Sequence, residues 1–155
     1  MELRIASLND SITIFNLRND VDARKNSFSA DEIPYEDHKQ WFENSLKMKT
    51  RKILIAHEND LTIGVIRLDL KDENEVVISI NIAPSLRQKG YANKMLYEIE
   101  SFTTSWSNKI KFLIALIKPS NTASIKLFSK RGYTVVSENE EEIIMRKELR
   151  GDYLE

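Results

Sequence analysis

The sequence predicts an α+β domain, a mixed and mostly antiparallel sheet with one parallel strand pair and helices on both faces. Three observations predict it. Within Val76–Ile82 the residues Ile78, Ile80 and Ile82 alternate with Ser79 and Asn81, so one face of a strand is apolar and the other polar. The run Phe112–Ile117 is almost unbroken in its apolarity, too short for a helix and too apolar for a strand with one wet face, so it fits a strand buried on both sides. Between them Gly90–Phe102 sets Ala92, Met95, Leu96, Ile99 and Phe102 at helical spacing, which makes the whole unit a parallel strand–helix–strand crossover.

The other elements follow in chain order. Leu3–Ala6 reads as a short strand, and Asn9-Asp10-Ser11 offers an N-cap to a helix carrying Ile12, Phe15 and Leu17. Arg18–Asp31 has no period and reads as irregular. A second helix begins near Pro34, with His38, Trp41, Phe42, Ser45 and Leu46 along one face. Lys52–His57, the turn Glu58-Asn59-Asp60 and Leu61–Leu70 read as an antiparallel hairpin whose second strand Gly64 is expected to loosen. A further hairpin step at Lys71–Asn74 leads into Val76–Ile82, which Pro84 ends, as Pro119 ends Phe112–Ile117. A helix over Asn121–Arg131 follows, then strands Tyr133–Val136 and Ile143–Leu149 around the acidic turn Glu138–Glu142.

Composition bounds the class. With 155 residues, 23 Lys plus Arg, 24 Asp plus Glu, two His, no Cys and 41% hydrophobic content, the chain reads as one soluble domain over residues 1–155. Without cysteine there is no disulfide framework, no thiolate nucleophile and no Cys-containing zinc site, and a reducing cytoplasm is the expected compartment. No apolar run approaches the roughly 18 residues of a membrane span, and Met1-Glu2-Leu3-Arg4 lacks a signal-peptide layout, so no membrane partner is expected. The net charge of −1 hides an asymmetry: Val76–Ser137 holds nine basic residues against two acidic ones. A segment so biased is expected to handle an anion. It lacks the exposed aromatics interleaved with cations that nucleic-acid binding needs, so no nucleic-acid partner is expected.

In a parallel crossover ligands bind beyond the carboxyl ends of the strands, where helix N-termini point free N–H groups outward. Here those ends are Pro84–Gly90 and Lys118–Asn121. In the first, Arg87 and Lys89 flank a turn whose Gly90 lets backbone approach a bulky anion.

Ile82-Ala83-Pro84 followed by Arg87-x-x-Gly90-x-Ala92 resembles the acetyl-CoA pyrophosphate loop of the GNAT N-acetyltransferases. About thirty residues on, Asn121-x-x-Ser124-x-x-x-Phe128-x-x-x-Gly132-Tyr133 resembles the second coenzyme segment of that family. The element order matches from end to end, so the resemblance covers essentially the whole chain. It implies a GNAT-like sheet whose parallel pair is splayed, with acetyl-CoA as co-substrate and a small-molecule amine as acceptor. Backbone amides of Gln88, Lys89, Gly90, Tyr91 and Ala92 would hold the pyrophosphate, with Arg87, Lys89 and Lys126 as the nearest cations. The pantetheine arm would bond backbone near Ile80 and Ile82, with Asn121, Ser124 and Phe128 lining its other side.

The family implies direct attack of an amine on the thioester. The backbone N–H of Ile82 would stabilise the oxyanion. Many members place a tyrosine four residues before the glycine of the second segment, where its hydroxyl protonates the leaving thiolate; this chain has Phe128 there. A thiol of pKa near about 8.5 leaves tolerably without help, and Ser124, a water or Tyr133 could substitute, Ser124 first. No carboxylate lies on Val76–Ile82, so Ser79 and Asn81 could orient a water, and His38 is the alternative base unless it is a hydrogen-bonded core residue. His38 and His57, standing alone, make no metal site, and no metal is expected.

The acceptor site of this fold lies between its first two helices. The pattern Leu17-Arg18-Asn19-Asp20, Arg24-x-x-Ser27-Phe28 and His38-x-x-Trp41-Phe42 resembles the GNAT branch that acetylates nucleotide-linked amino sugars for pseudaminic-acid and related nonulosonate synthesis. Arg18 and Arg24 would then meet a nucleotide diphosphate, and Trp41 or Phe28 would stack on base or sugar. The same segment resembles acetyltransferases of ribosomal-protein N-termini, so a peptide acceptor stays open, as does a catalytically silent acetyl-CoA-binding module, which Phe128 permits. A homodimer is left open.

Overall fold

The structure is a computed structural model and describes residues 1–149; the last six residues of the domain expected from the sequence lie outside the described part. Its strands are β1 (Glu2–Ile5), β2 (Arg51–Glu58), β3 (Leu61–Leu70), β4 (Glu75–Ile82), β5 (Phe112–Ile117), β6 (Thr134–Glu138) and β7 (Ile143–Glu148). They form one sheet in the order β1-β2-β3-β4-β5-β7-β6. Among the described residues β4 and β5 make the one parallel pair, through Glu75↔Phe112 to Ile78↔Ala115. The helices are α1 (Ser11–Asn19), α2 (Val21–Lys25), α3 (Tyr35–Lys47), α4 (Tyr91–Trp106) and α5 (Thr122–Lys130).

Alternation along β2 divides the core in two. Leu54 and Ala56 face Met95, Leu96 and Ile99 of α4, together with Leu113, Ala115 and Ile117 of β5. Ile53 and Ile55 face Ile14 and Leu17 of α1 and Phe42 of α3. The period-2 strand pattern therefore builds a layer on each face, as expected for helices on both sides.

Two local expectations differ. Arg18–Asp31 contains a short helix, α2, because the Asp20 carboxylate accepts the Ala23 N–H and caps it. In α1 the buried face carries Ile14 and Leu17 while Ile12 is exposed. Asp10 holds Arg4 through two 2.8 Å bonds and the Ser7 N–H, instead of capping α1 with its side chain.

The parallel pairing stops at Ile78 while β4 runs on to Ile82, so the last turns of β4 and β5 part. Which backbone groups face the opening is fixed by register. Lys71 N–H donates to Glu75 and Ala83 N–H to Ile63, so the odd-numbered residues of β4 bond to β3. The even-numbered residues, Ile80 and Ile82 among them, turn N–H and C=O toward β5, and beyond Ile78 β5 does not pair with them.

Candidate functional site

The opening between β4 and β5 is the middle of a cavity of about 1640 Å³ that reaches from the N-termini of α4 and α5 to Arg18 and Trp41. Of the residues singled out from sequence, it is lined by Arg18, Arg24, Phe28, Trp41, Ser79, Ile80, Asn81, Ile82, Arg87, Gln88, Gly90, Tyr91, Ala92, Asn121, Ser124, Lys126 and Phe128. Lys89 and His38 are not on the wall.

At the coenzyme end the turn before α4 has two left-handed residues, Gln88 at φ 61° and Gly90 at φ 86°. They swing the chain so that α4 begins at Tyr91 with no side chain capping its first N–H groups. A Cβ on Gly90 would meet nothing within 4 Å, so open space lies over that helix N-terminus. A left-handed turn, an uncapped helix end and unpaired strand amides suit a phosphate followed by an amide-bearing arm, and the residues present fit acetyl-CoA.

Arg87 is placed differently from the expectation of a phosphate ligand. Its Nη2 lies 2.9 Å from Asp20, its Nη1 3.4 Å from Asp22, and its Nε donates to the Ile82 carbonyl at 3.1 Å. The guanidinium thus ties the start of α2 to the end of β4. Lys118 does the same from the β5 end, donating to the Lys25 carbonyl at 3.0 Å, and Asn81 Nδ2 holds the Leu17 carbonyl at 2.7 Å. Lys89 is exposed and does not line the cavity, whereas Lys126, also exposed, does. Asn121 spends its Oδ1 on the Ser124 N–H at the start of α5, which leaves its Nδ2 and the Ser124 hydroxyl for the cavity.

Phe128 is buried at 6% exposure and meets Tyr133 edge-on, with centroids 4.9 Å apart. Among the described residues the Tyr133 hydroxyl has no hydrogen-bond partner, and burial holds its pKa far above the ordinary phenol value. It does not line the cavity, so it is not placed to protonate anything there.

His38 is a structural residue in this geometry. It is fully buried, stacked on Phe42 at 5.8 Å, with Nε2 3.0 Å from the Ser11 carbonyl and Nδ1 2.9 Å from Arg18 Nη1. A carbonyl accepts only, so Nε2 carries the proton; Arg18 donates only, so Nδ1 accepts. No lone pair is left to act as a base. Burial, then the Arg18 charge, lowers its pKa below 6.5 despite the Ser11 carbonyl. A lowered pKa means that the unfolded chain takes up a proton first as pH falls, so His38 leaves stability intact above about pH 6.5 and removes it between there and its folded pKa. Denaturant midpoints should therefore fall from about pH 7 to about pH 5, and His38→Gln should flatten that slope; an unchanged slope would place the titrating group elsewhere.

At the acceptor end Arg18 lies flat on Trp41, its guanidinium carbon 4.0 Å from the ring centroid. That covers one face of Trp41 and leaves Phe28, 54% exposed, as the aromatic free to stack. Arg24 lines the wall but is spent on the Asn19 and Ala30 carbonyls, so it braces the loop around α2. Ser79 accepts a long 3.5 Å contact from Arg67. Sequence reading passed over Arg67, which lines the cavity beside Trp41. The signal was there, because Arg67 and Asp69 lie on the same strand face as Val65, against the period of an apolar stripe.

A family model for the acetyltransferase (GNAT) domain matches residues 1–134. None of the curated proteins matches the sequence. Among solved structures, spermidine N-acetyltransferase from Vibrio cholerae in complex with CoA and spermine superposes with a TM-score of 0.86 at 14% identity, covering 96% of this chain and 95% of that one. Ribosomal-protein-alanine N-acetyltransferase from Brucella melitensis gives 0.77 at 22% identity, covering 96% and 100%. A Salmonella typhimurium protein solved with its cofactor acetyl-CoA gives 0.78 at 19% identity, covering 96% and 94%. At these identities the structural likeness speaks for the fold alone.

Proposed function

The chain belongs to the acetyltransferase (GNAT) family, and from that premise we propose that it transfers acetyl from acetyl-CoA to the primary amine of a nucleotide-linked amino sugar. The activity and the co-substrate come with the family; the acceptor is our reading. The observation that carries it is the pair of cationic side chains at the acceptor end, Arg18 and Arg67 beside Trp41, in a cavity whose lining has six cationic side chains against two carboxylates, Asp22 and Asp31. Phe28, in the lining of the same cavity, adds the aromatic surface that a base or sugar ring needs.

Acetyl-CoA supplies an activated acetyl thioester. The amine nitrogen forms the new C–N bond, the C–S bond breaks, the amine loses a proton and the departing sulfur gains one. Ile82, whose N–H faces the gap, is the donor for the oxygen that becomes negative on the way. Cations around the acceptor disfavour an ammonium ion, so the amine enters neutral, and a water oriented by Ser79 and Asn81 takes the proton it loses as the C–N bond forms. Ser124, which lines the cavity, passes a proton to the sulfur and recovers one from water in the same step.

Thiol release from acetyl-CoA, measured across nucleotide-linked amino sugars, N-terminal peptides and spermidine, tests the acceptor. The highest kcat/KM is expected on the nucleotide-linked sugar; an N-terminal peptide turned over as well or better would overturn that choice, and binding of acetyl-CoA with no thiol release on any amine would point to a silent module. Phe128→Tyr tests the acid. The variant is expected to fold and to keep or raise turnover, within the roughly 10²–10⁴-fold that a general acid contributes. A well-folded but inactive Phe128→Tyr would show that the position packs and does not protonate.

A further inference from the structure

We infer that Arg18 and Arg67, set around Trp41, form an anion-binding subsite that requires the acceptor to carry a carboxylate or phosphate in addition to its amine. The inference rests on reading this end of the cavity as the acceptor site, and it holds whether or not the acceptor is a nucleotide sugar.

Three guanidinium groups surround one indole: Arg18 at 4.0 Å, Arg51 at 5.6 Å and Arg67 at 5.9 Å from the Trp41 centroid. Two of them share one carboxylate. Asp69 bonds Arg51 Nε at 2.5 Å through one oxygen and Arg67 Nε at 2.9 Å through the other. Arg51 also spends Nη1 on the Ser45 hydroxyl, so it is fixed behind the ring. Among the described residues Arg18 has no carboxylate partner; its one polar contact is the neutral His38 nitrogen.

That arrangement is costly unless something negative completes it. A half-buried, uncompensated arginine loses hydration without gaining a partner, and like charges beside it add to the cost. Burial, then Arg67 and Arg51, pull the Arg18 pKa down from 12.5 to about 10, which still leaves it charged at neutral pH. His38 and Trp41 meanwhile fix where it points. Both Arg18 and Arg67 line the cavity, and the guanidinium fork matches the oxygens of carboxylate and phosphate. A polyamine would bring positive charge to a site that already has a surplus of it, and is excluded on the same ground.

Two measurements test this. Protein saturated with CoA, so that the phosphate-binding turn is filled, is titrated calorimetrically with uridine diphosphate, inorganic phosphate and glutarate. At least one should bind, and Arg18→Gln, which keeps an N–H donor for His38, should weaken it by at least tenfold, as should Arg67→Gln with Asp69 and Arg51 in place. In parallel, kcat/KM is compared for an amino sugar free, as its phosphate and as its nucleotide diphosphate ester, and for an amino acid against its methyl ester. Anionic forms should lead by at least tenfold, and in Arg18→Gln the ratio of anionic to neutral kcat/KM, taken within each protein, should fall to about one. The two series separate phosphate from carboxylate as the source of the charge. Neutral amines or spermidine used as well as anionic ones, or anion affinity indifferent to both variants, would overturn the subsite and leave acetyl transfer standing. Anion binding that depends on Arg18, with no amine acetylated, would sustain the subsite and remove its reading as part of an acceptor site; neither binding nor turnover would remove both.

Discussion

Gly90→Glu is expected to weaken acetyl-CoA binding by at least about 100-fold and to leave the fold in place. The size follows from where the side chain goes. Gly90 stands at φ 86° immediately before α4, so any L-residue there is strained by about 1–2 kcal/mol. Among the described residues nothing lies within 4 Å of a Cβ at this position, so the new side chain starts into open space beside the helix N-terminus. A carboxylate in that place occupies the positive end of the α4 dipole, competes for its free N–H groups and repels a pyrophosphate, and like charges brought together out of water cost several kcal/mol. Gly90→Ala carries the strain without the charge and should bind within about tenfold of the parent. Calorimetric titration with acetyl-CoA, beside the thermal midpoint of each variant, separates the two effects. Normal binding by a folded Gly90→Glu would move the coenzyme away from this turn.

How far the residues announced this arrangement depends on the distance over which each signal acts. The crossover was legible because its parts are periodic: the alternation in Val76–Ile82, the apolar run Phe112–Ile117 and the helical spacing of Met95, Leu96 and Ile99 are local patterns that burial then respects. Gly90 was legible because a left-handed turn asks for glycine within a few residues of the strand end. The acceptor end was legible only in part. Arg18 and Trp41 lie on two different helices, and their contact is a tertiary fact. Arg67 and Asp69 interrupt an apolar face of β3, a visible anomaly, but that they meet Arg51 follows from the β2–β3 register, which pairs Arg51 with Asp69. Arg87 was read by its motif as a phosphate cation; that Asp20 and Asp22 come to it is settled by α2, a five-residue helix with no apolar period to reveal it. His38 failed as a base for a similar reason, since both partners that use up its nitrogens are remote in sequence.

Gly64→Ala is expected to lower stability by about 2–3 kcal/mol, which is roughly 5–10 °C in thermal midpoint for a chain of this length. From sequence this glycine reads as a weak point in its strand, but it is a point of close approach between β3 and β4. It pairs with Ile82, and a Cβ would sit 2.5 Å from the Asn81 carbonyl oxygen and 3.2 Å from the Ile82 Cα. Both are backbone atoms, so no rotamer change can relieve the overlap, and the strands must part. The neighbouring pair of strands gives β3 its bend: the β2–β3 register shifts between Ala56 and His57, one residue from the Ala56↔Gly64 pair. Parting the strands moves the segment that carries the Ile82 N–H, so the same methyl group should reach the chemistry. Complete loss of an oxyanion donor costs about 10²–10³-fold in kcat, and partial displacement should cost about tenfold with a smaller change in KM for the acceptor, because of the acceptor residues only Arg67 shares β3 with Gly64, while Arg18 and Trp41 belong to α1 and α3. Paired thermal melts and steady-state kinetics at a temperature where both proteins are folded decide it. A variant that melts normally and turns over normally would mean that the close approach has no part in holding Ile82; one that is less stable but fully active would confine the role of Gly64 to packing.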